Sequence, residues 1–146
     1  MQFIYNDGGR SKYFKAKGVG DCVTRAICIA TQKDYKEVYD VLSKMSKKKY
    51  GSRESARNGV YKDIWKKYLK TLEDAHILKK IKCCEIGNSQ KVHLVEEELP
   101  SVGTYIVQCA KHLTCIKNGK LYDTWDCQIN EYTDEPRLVY AMWEVL

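Results

Sequence analysis

The hydrophobic period of the chain changes once, near Lys79, and that change limits the folds open to it. Before it, apolar residues recur three and four positions apart, the spacing of a helix face. CVTRAICIAT, from Cys22 to Thr31, is mostly apolar with one arginine and predicts a largely buried helix with Asp21 as its N-cap. A second helix is expected from Asp34, where Asp34 and Glu37 have capping-box spacing and Tyr35, Val38, Tyr39, Leu42 and Met45 share one face. The third spans Val60 to Leu72 after Asn58-Gly59, with an aromatic stripe assigned to packing. Beyond Lys79, short runs rich in Ile, Val, Tyr, Cys and Leu predict strands at Ile81 to Ile86, Thr104 to Cys109, His112 to Lys117, Lys120 to Trp125 and Leu138 to Val145. Helices followed by strands give an α+β fold, an N-terminal helical half packed on a mainly antiparallel C-terminal β-sheet. No repeat or linker divides the chain, so residues 1–146 are read as one domain, with Asn6 to Gly20 as a glycine-rich loop.

Composition narrows the function classes. Hydrophobic residues make up 44% and charged residues 30%, which suits a packed core. No apolar run approaches the ~20 residues of a membrane span, and the opening lacks a signal-peptide core, so a cytoplasmic protein without a membrane partner is expected. Seven cysteines, an odd number, several of them inside apolar runs, are read as free thiols. The net charge of +6 gathers in Lys44 to Lys49, Lys62 to Lys70 and Lys79 to Lys82. Lysines interleaved with apolar residues at helical spacing read first as solvated helix faces, and second as an attraction for nucleic acid or an acidic partner.

Cys22 stands at the start of the first helix, directly after Gly18-Val19-Gly20-Asp21. Unpaired N–H groups and the positive end of the helix dipole favour a thiolate there and can stabilise an oxyanion on a substrate carbonyl. Asp21 opposes this and should point away. A thiolate needs a base, and there are three histidines. His76 and His93 lack a well-placed orienting carboxylate in their neighbourhoods, whereas His112 opens an arm of a hairpin turned by Asn118-Gly119, a pair suited to positive φ. A two-residue turn pairs Lys117 with Lys120, Ile116 with Leu121, Thr114 with Asp123 and His112 with Trp125. His112 and Asp123 become diagonal neighbours, ~7–8 Å apart and within side-chain reach. Cys22 is then the nucleophile, His112 the general base and Asp123 the residue that orients it, with Asp126 second to Asp123.

The order of a helix-opening Cys22 in Gly20-Asp21-Cys22, His112 in Ala110-Lys111-His112-Leu113 and Asp123 in Leu121-Tyr122-Asp123-Thr124-Trp125 resembles the papain-like cysteine peptidase superfamily. Within it, Cys22-Val23-Thr24-Arg25-Ala26 is similar to the Cys-x-x-Arg-Ala stretch of ovarian-tumour-type deubiquitinases, although Val19 stands where those enzymes have an aspartate. The resemblance implies a papain-like fold, acyl transfer in a cleft between the halves, and a protein or peptide substrate. A compact hydrolase of viral or mobile-element type is the analogy for a chain this small. Papain-type enzymes place a glutamine six residues before the cysteine, where this chain has Ala16, so Gln2 and Asn6 are the candidate oxyanion-hole donors.

Other chemistries fit less well. Cys83-Cys84, Cys109, Cys115 and Cys127 form no Cys-x-x-Cys pair, so no metal or other cofactor is expected. Gly18-x-Gly20 lacks the rest of a phosphate loop, and Glu96-Glu97-Glu98 before Pro100 reads as a solvated turn. The rival reading is a non-catalytic basic binding module for nucleic acid or an acidic protein, with nucleic acid the less favoured partner of this chain.

Overall fold

The computed structural model describes residues 1–15, 19–82 and 91–146. Three helices, α1 (Cys22–Thr31), α2 (Tyr35–Tyr50) and α3 (Lys62–Asp74), precede most of the strands: β2 (Leu78–Ile81), β3 (Val92–His93), β4 (Thr104–Cys109), β5 (His112–Lys117), β6 (Lys120–Asp123), β7 (Leu138–Val139) and β8 (Ala141–Val145). The fold is α+β. A short strand from the opening segment, β1 (Phe3–Tyr5), joins them, so the sheet is not purely C-terminal as the sequence suggested. The six-stranded sheet has the order β1-β6-β5-β4-β8-β2 and is antiparallel except where β1 runs parallel to β6, and β3 and β7 form a separate pair.

The sheet is covered on both faces, and strand alternation sorts the two cores. Ile106, Leu113, Cys115 and Trp143 face the helices, packed with Ile27, Val38, Leu42, Trp65 and Leu69. Their neighbours Tyr105, Val107, Ile116, Leu121 and Met142 pack on the other face with Val92, Leu94, Leu99 and Val139. α1 is buried on nearly every side, as its apolar sequence requires. α2 begins at Asp34, whose side chain accepts a hydrogen bond from the Glu37 N–H at 3.2 Å, as the capping spacing predicts. α3 starts two residues later and ends two later than expected.

The hairpin register holds: Lys117 faces Lys120 and Ile116 faces Leu121. Asn118 and Gly119 carry φ of 48° and 74°, the positive pair the turn demands. β6 closes at Asp123 rather than Trp125, and a break at Tyr140 splits the last expected strand into β7 and β8. The strand read over Ile81 to Ile86 is realised as β2, three residues earlier, and its latter part lies outside the described residues, as do Ala16, Gly18, Cys83 and Cys84. Glu96–Glu98 form a 3-10 turn.

Candidate active site

Two turns and a helix end bring the site together. β4 and β5 join through Ala110-Lys111, pairing Cys109 with His112 and setting His112 at the mouth of the sheet. Asp123, at the end of β6, lies on the same face of the hairpin, and its Oδ2 is 2.7 Å from His112 Nε2. That contact leaves Nδ1 for the thiol. Cys22 opens α1, which packs on β5 and carries the sulfur to the imidazole. The Trp125 ring packs beside His112, with ring centres 5.0 Å apart, and the Arg137 guanidinium carbon lies 5.4 Å from the centre of the Trp125 ring.

Asp21, expected as the N-cap of α1, makes no capping hydrogen bond. Its carboxylate turns instead into a buried ion network, accepting from Arg10 at 3.2 Å, from Arg25 and from the Tyr35 hydroxyl at 2.6 Å. This removes the negative charge from beside the sulfur and leaves the first N–H groups of α1 without an intrahelical acceptor. Arg25, one turn along, reaches across to Asp123 Oδ1 at 3.3 Å and so ties the helix that bears the thiol to the strand end that holds the histidine. Gly8 lets the opening loop press on this arginine: its φ is +70°, and a Cβ there would lie 3.1 Å from the Arg25 Cα and carbonyl oxygen.

Electrostatics at the three residues are coupled. Burial works against ionisation of Cys22, but its interactions with the His112 imidazole, the Leu113 backbone and the Arg25 charge outweigh it and hold the thiol below its ordinary value. Burial alone would depress His112, yet its hydrogen bond to Asp123, its contacts with the Cys127 and Cys22 sulfurs and the Asp123 charge push it up to about 11. Burial likewise opposes the Asp123 carboxylate, and His112 and Arg25 overcome it and keep that group low. Both shifts favour the thiolate–imidazolium form of the pair. By contrast, burial pushes Cys28, Cys109 and Cys115 each up to about 12.

A cleft of about 620 Å³ opens over this pair, its walls including Gly20, Cys22, Val60, Trp65, His112 and Tyr140. Gln2 and Asn6 are not among the described residues that form it. Gln2 is exposed on the approach to β1, and Asn6 Oδ1 accepts from the Gly8 N–H at 2.8 Å while its own N–H donates to the Asp123 carbonyl. Gln108, overlooked from the sequence, does line the cleft. The signal was there: a glutamine inside the mostly apolar strand TYIVQC, on the face that meets the helices. Asp126 accepts from Gln128 on the exposed surface. His76 is exposed just beyond α3, and His93 has a partner after all, the Glu98 carboxylate at 3.1 Å from its Nδ1, but among the described residues no cysteine lines the cavity beside it.

Cys127 is the other residue the sequence left unassigned. Fully buried, it donates its S–H toward Asp123 Oδ2 at 3.8 Å, behind the histidine. His112, Asp123 and Cys127 each offer one atom within 4.8 Å of the others, the one cluster among the described residues that could ligate a metal ion. No protein-family model matches the chain, and no curated protein or solved structure matches it.

Proposed function

We propose that the protein is a cysteine-dependent hydrolase of papain-like fold that cleaves a peptide, isopeptide or related acyl bond. One observation carries the reading: a helix-opening cysteine with a lowered pKa meets, at a cleft, a histidine whose other nitrogen is held by a buried carboxylate. The Cys22 thiolate attacks the substrate carbonyl carbon, and the C=O π electrons move to oxygen. The resulting oxyanion faces the N–H groups at the start of α1 and the Gln108 amide. Collapse expels the amine, which takes its proton from the His112 imidazolium, and leaves a thioester on Cys22. Water then attacks with His112 as base, releasing the acid and restoring the thiol pair. Asp123 keeps the imidazole oriented throughout.

The thiol nucleophile suits a reducing compartment, which agrees with the cytoplasm, and the five described cysteines are free. Among the described residues no helix is long and apolar enough to cross a membrane.

Brief iodoacetamide exposure near neutral pH, mapped by mass spectrometry, should label Cys22 ahead of Cys28, Cys109 and Cys115, since only the thiolate reacts. Electrophilic peptide and ubiquitin-like probes then report the class of acyl group accepted. Cys22 protected in the native protein while the core cysteines react would end the proposal. Gln108→Ala should lower turnover of the best probe-derived substrate by about 10², the usual cost of one oxyanion donor, while iodoacetamide still labels Cys22 at the parent rate. Unchanged turnover would take Gln108 out of the site.

A further inference from the structure

The walls of the cleft carry two lysines, Lys62 and Lys111, and no carboxylate among the described residues that form them. Among the described residues neither lysine has an ion-pair partner. Asp63, next to Lys62 in sequence, accepts from Lys49 and the Tyr50 hydroxyl, and Asp123, the acidic residue nearest in sequence to Lys111, is held by His112 and Arg25. Glu144 lies opposite Lys79 across β2 and β8, on the face away from Lys80.

From the cleft the positive charge continues along one path. Lys66 follows Lys62 by one turn of α3, its ammonium 5.9 Å from the Trp65 ring, itself part of the cleft wall. Trp65 meets Trp143 edge to face at 5.7 Å, and the Lys80 ammonium lies 5.7 Å from the Trp143 ring. Two indoles thus hold two ammonium groups on one surface. Lys66 registers the crowding: burial lowers its pKa, and Lys62 and Lys80 lower it further.

Lys111 adds a second, independent sign. It sits at the tip of the β4–β5 turn with φ of 54°, a conformation that favours glycine or asparagine and disfavours a long side chain. The chain keeps an ammonium where local backbone chemistry asks for none, one residue from His112 and on the cleft wall.

We infer that the cleft takes an acyl donor with carboxylate side chains beside the scissile bond, an acidic peptide segment docked along Lys111, Lys62, Lys66 and Lys80. The inference rests on the hydrolase reading and names its substrate class. An acidic peptide is favoured over a nucleic acid because the lysines converge on the wall of a cleft that ends at a thiol and an imidazole, groups suited to a carbonyl carbon.

The test is the rate at which Cys22 is alkylated by three chloromethyl ketones, Ac-Glu-Glu-Gly, Ac-Ala-Ala-Gly and Ac-Lys-Lys-Gly. At low salt the glutamyl probe should react about tenfold faster than the lysyl one, with the alanyl probe between, the scale set by a few screened charge pairs. In a Lys62→Gln, Lys111→Asn double variant the glutamyl-to-lysyl ratio should fall toward one. Asparagine suits the turn at 111 and Lys62 is exposed, so the fold is kept, which the circular dichroism spectrum verifies. Equal rates for all three probes, or a ratio unmoved by the two substitutions, would overturn the acidic-substrate inference and leave the hydrolase standing. Failure of every probe to alkylate Cys22 would instead sink the hydrolase reading and this inference with it. A deoxythymidine decamer that blocks labelling at concentrations where hexaglutamate does not would assign the lysines to nucleic acid and overturn the inference.

Discussion

His112→Ala should lower turnover by on the order of 10⁴, because it removes the base, the acid and the charge that sustains the thiolate in one step. The sign of the pH effect follows from the two shifts. Cys22 ionises below its ordinary value and His112 keeps its proton up to about 11, so the thiolate–imidazolium pair exists between them. Alkylation of Cys22 in the parent should therefore set in at lower pH than for an ordinary thiol. In His112→Ala the rate at pH 6 should drop roughly ten- to a hundredfold and climb again only as an ordinary thiol titrates, the gain in thiolate being partly offset by its lower nucleophilicity in the parent. The same pH–rate curve in both proteins would show that the histidine does not govern the thiol.

Arg25→Ala is the substitution expected to hurt the fold most. It strips the shared cation from two buried carboxylates, Asp21 and Asp123, at 1% and 2% exposure. Breaking a buried pair from one side typically costs about 3–5 kcal/mol, or roughly ten degrees of Tm for a chain of this size. Arg25→Lys should recover little, since one ammonium cannot reach both carboxylates as the guanidinium does. The acid limb of the stability curve should move as well. Asp123 has a depressed pKa, so its contribution is present above the ordinary carboxylate range and lost as pH falls through the lowered value. Without Arg25 that value rises, and acid unfolding should begin at higher pH. The raised pKa of His112 works in the opposite direction: its contribution is complete below 6.5 and disappears as pH climbs through about 11. Thermal melts from pH 3 to 7 test the acid limb, and a melt for Arg25→Ala within two degrees of the parent would dismiss the network as a structural element.

Much of this was legible because it is local. The bounds of α1 follow from an apolar run closed by polar residues, and the Asn118-Gly119 turn sets a register in which Asp123 must share a face with His112. What the sequence does not show is mostly non-local. β1 has only three residues, too few for a period, and becomes a strand because β6 offers it an edge. Asp21 has a good capping side chain, yet two arginines and a tyrosine, brought up from elsewhere, outcompete the helix N–H groups for it. His93 gains Glu98 through a turn whose acidic run looked merely solvated. Gln108 is the exception, legible as a polar residue in a buried strand, but nothing local links it to a thiol on a distant helix.

The parallel pairing of β1 with β6 sets Phe3 beside Leu121 and Tyr5 beside Asp123, and the Asn6 N–H donates to the Asp123 carbonyl. The strand end that orients the His112 imidazole is thus finished by residues 3–6, far from it in sequence, which find their place only once β6 is there to pair with. Loop closure over such a span comes late in folding. In the proposed hydrolase the helix that bears Cys22 is a local element, whereas His112 and Asp123 reach it only through long-range pairings, so the chemistry would arrive with those pairings and not with the helix.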